Sequence, residues 1–337
     1  MLFPGFQYIA LASSACVLAA VPKTFNHLLP THNVFQFNQT GTWLENIAVR
    51  PNGDLLVSLL LPTASLYTLE KPYSPSRTFS LLQTFDNATG LLGITETYTD
   101  TFAVLSIQFS ETSSPVPGSA TIWEVSFSNG KLLTRKITNI LEILVPNGIA
   151  SIPGSSVVFV ADSTGGTITR CDTRTATCAT FLNTPQTAPA PGSSRPTGVN
   201  GIRYRRGYLY WSNSNLVSIF RVRVGKDGYA ASGACVETVG KVDATFIDDF
   251  AIDDDGTLWI AAGSNNTIIA LRENGSSEVV AGSLTDLTVA GPTSAAFGRT
   301  ARDSKTLYVV TNGASSGPVN GIIEPAKIVA VDTSEFE

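Results

Sequence analysis

The stretch Thr42–Ser58, TWLENIAVRPNGDLLVS, decides the fold. An acidic residue, Glu45, precedes an apolar alternation through Ile47 and Val49, a Pro51-Asn52-Gly53 turn follows, and a second apolar run leads away from Leu55 to Val57. Alternation on both sides of a tight turn is the pattern of a β-hairpin, here with a polar residue at its mouth.

The pattern is written six times. After LENIAVRPNGDLLVS from Leu44 come GLLGITETYTDTFAVLS from Gly90, VPNGIASIPGSSVVFVADS from Val145 and VNGIRYRRGYLYWSNS from Val199. IDDFAIDDDGTLWIAAGS from Ile247 and PTSAAFGRTARDSKTLYVVTNG from Pro292 complete the set. A repeat of about 40 to 50 residues is the mark of a propeller or solenoid. Each hairpin is followed by a further alternating strand, such as ASLYTLE from Ala64, ATIWEVSF from Ala120 or AKIVAVD from Ala326. Segments such as SLLQTF from Ser80 and KLLTRKIT from Lys131 supply a fourth. Sheets of three or four strands bury both faces only when stacked around an axis, each covering the next. The expectation is an all-β protein, a six-bladed β-propeller forming one domain over residues 21–337. No helix-period segment of useful length interrupts the pattern after residue 20, which argues against a parallel α/β fold.

Residues 1–20, MLFPGFQYIALASSACVLAA, are apolar and end in small residues. They read as a signal peptide cleaved near Ala19 or Ala20, with an uncleaved anchor as the alternative; no Lys or Arg stands at their start. Four Asn-x-Ser/Thr sequons, at Asn38, Asn87, Asn265 and Asn274, fit a secretory or extracellular destination. Of four cysteines, Cys16 lies in the leader, Cys171 and Cys178 flank a polar turn at a spacing that suits a hairpin disulfide, and Cys235 is left as an expected buried thiol. The net charge of −5 disfavours a phosphate-tracking surface, so nucleic acid is not an expected partner. Beyond residue 20 no stretch is long enough to span a membrane, and a monomer acting on small molecules is expected.

Two positions ahead of each hairpin's leading apolar residue stand Glu45, Leu92, Asn147, Asn200, Asp248 and Thr293. Inner strands of a propeller start at one end of the central channel, so these residues form a ring there. Two carboxylates and two amides, all oxygen donors, suit one hard divalent cation such as Ca²⁺ or Mg²⁺ at Glu45, Asn147, Asn200 and Asp248. The competing reading is a wet channel lined by ordinary turn residues. Asn46 and Asp249, one position on, are expected to turn away from the channel by strand alternation.

Histidine is confined to His27 and His32, ahead of the first hairpin, so a histidine-based triad is not expected. A general base would be a carboxylate, Asp248 first. No organic cofactor is indicated. Trp123 and Trp259 belong to apolar strands and are assigned to the core, Trp43 and Phe246 to the channel mouth, and Trp211 to neither. The segment from Asn183 to Pro196, rich in Pro, Ser, Thr and Ala, is expected to arch over one end.

The hairpin openings Glu45-Asn46-Ile47, Asn147-Gly148-Ile149, Asn200-Gly201-Ile202 and Asp248-Asp249-Phe250 resemble those of the regucalcin, gluconolactonase and luciferin-regenerating-enzyme superfamily of six-bladed propellers. That resemblance implies a divalent cation held by Glu45, Asn147, Asn200 and Asp248, with Asp248 as base. Asp249 stands where that superfamily has glycine, which leaves the register there open by one residue. The wording WLENIAVRPNGDLLVS, with GPTSAAFG from Gly291 and KIVAVDTS from Lys327, is more similar to a fungal secretory branch. Its members include hetero-Diels-Alderases of secondary metabolism that join a tropolone quinone methide to a sesquiterpene. The branch implies small, apolar substrates, with Trp43, Phe246, Asn200 and Thr293 around them. A metal-dependent lactone hydrolase and a non-catalytic binding propeller are the alternatives.

Overall fold

In the computed structural model, residues 28–128 and 130–336 are described; the leader, Cys16 and His27 lie outside them. Six four-stranded antiparallel sheets form the ring. The inner strands are Trp43–Val49, Gly90–Tyr98, Pro146–Ser151, Val199–Arg205, Phe250–Ile252 and Pro292–Phe297, one per blade in chain order. The founding hairpin pairs Trp43–Val49 with Leu55–Leu61 around the expected turn, where Gly53 adopts φ 91°. Among the described residues there is no α-helix, only a 3₁₀ turn at Gly263–Asn265.

Alternation is what lets the blades stack. Each strand sends its apolar side chains toward both neighbouring blades, and the result is six apolar clusters, one at each blade–blade interface. Blades three and four, for example, share Phe159, Ile168, Ile202, Trp211 and Phe220. Blades six and one share Val310, Ile328, Leu44 and Leu59. Six interfaces for six blades leave no open sheet face.

The sixth blade is closed by the other end of the chain. Its outermost strand is Thr31–Gln36, paired antiparallel with Lys327–Asp332. His32, placed ahead of the first hairpin by the sequence, therefore belongs to the outer edge of the last blade and not to the channel.

At the axis the inner strands approach so closely that side chains are excluded from part of the ring. A Cβ on Gly93 would lie 2.5 Å from Asn147 O, and one on Gly148 2.6 Å from Asn200 O. Hydroxyls lock neighbouring blades together. Ser58 Oγ donates to Leu92 O at 2.6 Å, Ser163 Oγ to Val199 O at 2.8 Å, Ser212 Oγ to Asp248 O at 2.7 Å and Thr293 Oγ1 to Leu44 O at 2.7 Å. Ser58 and Ser212 also accept from the backbone N–H of Asn46 and Gly201.

Cys171 and Cys178 are paired across adjacent strands of blade three as a disulfide. Cys235 is exposed, contrary to the expectation of a buried thiol. It sits in a loop, outside the apolar alternation that buries its neighbours. Trp259 is buried and Trp123 is packed against the cluster between blades one and two, as expected.

Candidate functional site at the channel mouth

The structure brings Glu45 and Asp248 together at the start of the inner strands, with 5% and 8% of their surfaces exposed. Burial pushes the Glu45 carboxyl up to about 7; the charge of Asp249 pushes the same way, against a hydrogen bond from Trp43 Nε1 and the charge of Arg195. Burial also raises Asp248 well above the usual carboxylate range, reinforced by Glu45 and Asp249 and opposed by Arg195 and Asn200. Burial and mutual repulsion thus raise the proton affinity of both carboxyls above that of exposed acids.

The other ring members differ in what they have left to offer. Asn200 is buried, its Nδ2 donates to Ser214 Oγ at 3.0 Å, and its Oδ1 has no hydrogen-bond partner. Asn147 is half-buried at the head of blade three. The Thr293 hydroxyl is committed to Leu44 O and Val310 O, so it closes the ring between blades six and one. Leu92 is buried in the apolar cluster between blades two and three.

Asn46 and Asp249 do not turn away. Bulges interrupt alternation around Asn46, and the strand of blade five begins only at Phe250, after Asp249. Four blades converge on the Asp249 carboxylate. Its Oδ2 accepts from Asn46 Nδ2 at 2.9 Å, Arg203 Nη2 at 2.6 Å and Ser294 Oγ at 3.0 Å, and its Oδ1 from Phe250 N at 2.8 Å. Held by donors from four blades, the Asp249 carboxylate ties the blades together as the floor beneath Asp248. Below the floor is a cavity of about 270 Å³ walled by Ile47, Ile94, Ile149, Ala251 and Ala295, with Arg203 at its edge. A groove of about 710 Å³ runs between blades five and six at that far end and contains no ring residue.

Two features of the mouth had no sequence signal beyond loop composition. The segment after Asn183 does arch over the site, and it carries Arg195, whose guanidinium lies 4.5 Å from the centre of the Phe246 ring. Phe246 is consequently 8% exposed, covered by the arginine. Trp211 is fully buried, and its indole Nε1 donates to Gln186 O at 3.0 Å, holding the loop down from blade four. Asn213 Nδ2 bonds Ala188 O at 2.7 Å, and Asn215 Oδ1 accepts from Thr197 N at 2.8 Å.

A protein of Sarocladium schorii named a candidate hetero-Diels-Alderase is 30% identical over 99% of this chain and 90% of its own length. The chain belongs to the hetero-Diels-Alderase family. A Phoma protein with the same designation is 29% identical, over 86% of this chain and 90% of its own. Among solved structures, a luciferin-regenerating enzyme superposes with a TM-score of 0.65 over 91% of this chain and 96% of its own, at 12% identity, a likeness of fold. No family model matches the sequence. Among the described residues, no three His, Cys, Asp or Glu side chains cluster as a metal site. A cation at this mouth would therefore rest on two carboxylates completed by amide oxygens. The orphaned Asn200 Oδ1 and the mutually repelling Glu45 and Asp248 fit such a cation.

Proposed function

We propose that this protein is a hetero-Diels-Alderase-type cyclase of fungal secondary metabolism, joining a tropolone quinone methide to a sesquiterpene such as humulene. The observation that carries the reading is its whole-length likeness to proteins of that designation. The site is compatible with it. Trp43, half-buried at the mouth, offers a flat surface for a conjugated ring, and the mouth needs to supply orientation and exclusion of water more than proton transfer. Incubating the purified protein with a quinone methide precursor and humulene should raise the yield of one stereoisomer of the adduct. Product ratios equal to those without protein would overturn the proposal.

A second reading, a metal-dependent lactone hydrolase, is favoured by the unpartnered Asn200 Oδ1 beside two buried carboxylates. Glu45, Asn147, Asn200 and Asp248 would hold a divalent cation, which when bound polarises a carbonyl. Asp248, with its raised affinity for protons, is then the group that accepts one. Lactone hydrolysis at the wild-type rate by Asp248→Asn would exclude this reading.

A secretory route is part of the proposal. It is supported by the apolar leader, the disulfide between Cys171 and Cys178, and the exposed sequons at Asn38, Asn87 and Asn274.

A further inference from the structure

We propose that Arg195 is a catalytic residue that binds the oxygen terminus of the heterodiene, an inference that rests on the cyclase reading. Three observations place it there. The guanidinium is stacked on Phe246 at the mouth, at 4.5 Å, and its charge is felt by both buried acids, Glu45 and Asp248. The backbone on either side is fixed: Arg195 N bonds Ser193 Oγ at 3.3 Å, Arg195 O accepts from Asn215 Nδ2 at 3.1 Å, and Thr197 N is held by Asn215 Oδ1. Yet among the described residues no side-chain hydrogen bond is made by the guanidinium, and the residue is exposed. A planar fork of donors is thus presented at the mouth by a rigid support.

Arg203, the other arginine of the channel, cannot take this role. Its Nη2 donates to Asp249 and Ser294 and its Nη1 to Ile202 O, so its donors are engaged in the floor.

The chemistry of the reaction calls for one such donor. In a hetero-Diels–Alder addition the heterodiene C=C–C=O meets an alkene; a C–C bond forms at the carbon terminus and a C–O bond at the oxygen terminus. Three π bonds are consumed and one new π bond is made within the former heterodiene, with no proton, oxidant or reductant exchanged. When an electron-rich alkene attacks an electron-poor quinone methide, negative charge accumulates on that oxygen in the transition state. Hydrogen bonds from a guanidinium to this atom strengthen as the charge develops, whereas a hydrocarbon alkene gains nothing from them. Arg195 would therefore select which partner sits at the polar side of the mouth, the conjugated ring lying against Trp43 with its oxygen toward the guanidinium, and so set the regiochemistry of addition.

The test uses Arg195→Ala and Arg195→Lys in the full-length protein, with tropolone as a stable chromophoric probe. We expect Arg195→Ala to fold with an unchanged thermal midpoint, to lower kcat by roughly 10- to 100-fold, and to leave KM for humulene unaltered. Arg195→Lys should recover part of kcat. Tropolone bound to the wild type should show a shifted absorption band, and tropolone with Arg195→Ala should show the band of the free compound. An alanine variant with wild-type kcat and a wild-type band shift would overturn the inference while leaving the cyclase reading intact. A wild-type protein that neither perturbs the tropolone spectrum nor alters adduct ratios would instead overturn the cyclase reading, and this inference with it.

Discussion

Arg203 Nη2 lies 2.6 Å from Asp249 Oδ2, an ion pair from two adjacent blades that seals the channel beneath the candidate site. The carboxylate is 1% exposed and the arginine side chain 21%, so the pair is shielded from screening by salt. Removing one partner leaves the other charge buried. Asp249→Ala should therefore cost about 3–5 kcal/mol in urea unfolding, and pairing it with Arg203→Met should recover part of that loss. Additive losses in the double variant would show the two side chains to be energetically independent.

Stability should depend on pH through Glu45. Its carboxyl holds its proton up to about 7 in the folded chain, against 4.5 in a free side chain. The folded state therefore binds more protons between those values, and unfolding free energy falls as pH rises through that window. The cost is complete above about pH 7 and on the order of 3 kcal/mol. Asp248, raised in the same direction, adds to the slope. Measured at pH 5 and pH 8 in the presence of a chelator, the wild type should lose stability on going up, and Glu45→Gln should lose distinctly less.

A divalent cation, if the ring takes one, relieves the same repulsion. Titrating Ca²⁺ into chelator-treated protein at pH 8 should raise the melting temperature by RT ln(1 + [L]/Kd) converted to a midpoint shift. Asn200→Ala, which removes the unpartnered amide oxygen, should abolish the rise. A Ca²⁺ response of equal size in both proteins would place the cation elsewhere.

Occupancy of the sequons should follow their surroundings. Asn38, Asn87 and Asn274 are exposed, whereas Asn265 is half-buried and its Oδ1 accepts from both Thr245 N and Thr245 Oγ1. Protein from a eukaryotic secretory host, treated with an amidase that removes N-glycans, should show conversion of Asn to Asp at the first three positions and not at Asn265. The Thr245 segment leads directly to Phe246, so a glycan at Asn265 would crowd the mouth.

The propeller was legible because its cause is local. Alternation in six hairpins and punctuation by turns such as Pro51-Asn52-Gly53 dictate short strands whose two apolar faces need neighbours. The ring positions of Glu45 and Asp248 followed from the repeat register for the same reason. What escaped was set by contacts between distant segments. Nothing near Asn46 announces the bulge, and nothing near Asp249 the late start of its strand, that turn them inward; that outcome depends on Arg203 and Ser294 in other blades supplying partners for a buried carboxylate. Thr293 reads as a channel oxygen, but Leu44 O, 249 residues away in sequence, claims its hydroxyl. Arg195 is one charge in a loop of ordinary composition, and only the anchoring by Trp211, Asn213 and Asn215 brings it over the acids. Cys235 was misplaced because cysteine is usually buried, whereas here its neighbours Ala234 and Val236 pack inward and leave it on the outward side.

The pairing of Thr31–Gln36 with Lys327–Asp332 sets an order for biogenesis. Of the described strands, the first to leave the ribosome is among the last to find a partner, since its template is made only after the five intervening blades. Until then blade six lacks its outer edge and the ring stays open, with the interfaces on either side of blade six exposed to other chains. Nascent-chain experiments should therefore find protease resistance appearing abruptly once residue 332 has emerged, and a chain cut before Lys327 should be recovered mainly with chaperones, whatever the quality of its first five blades.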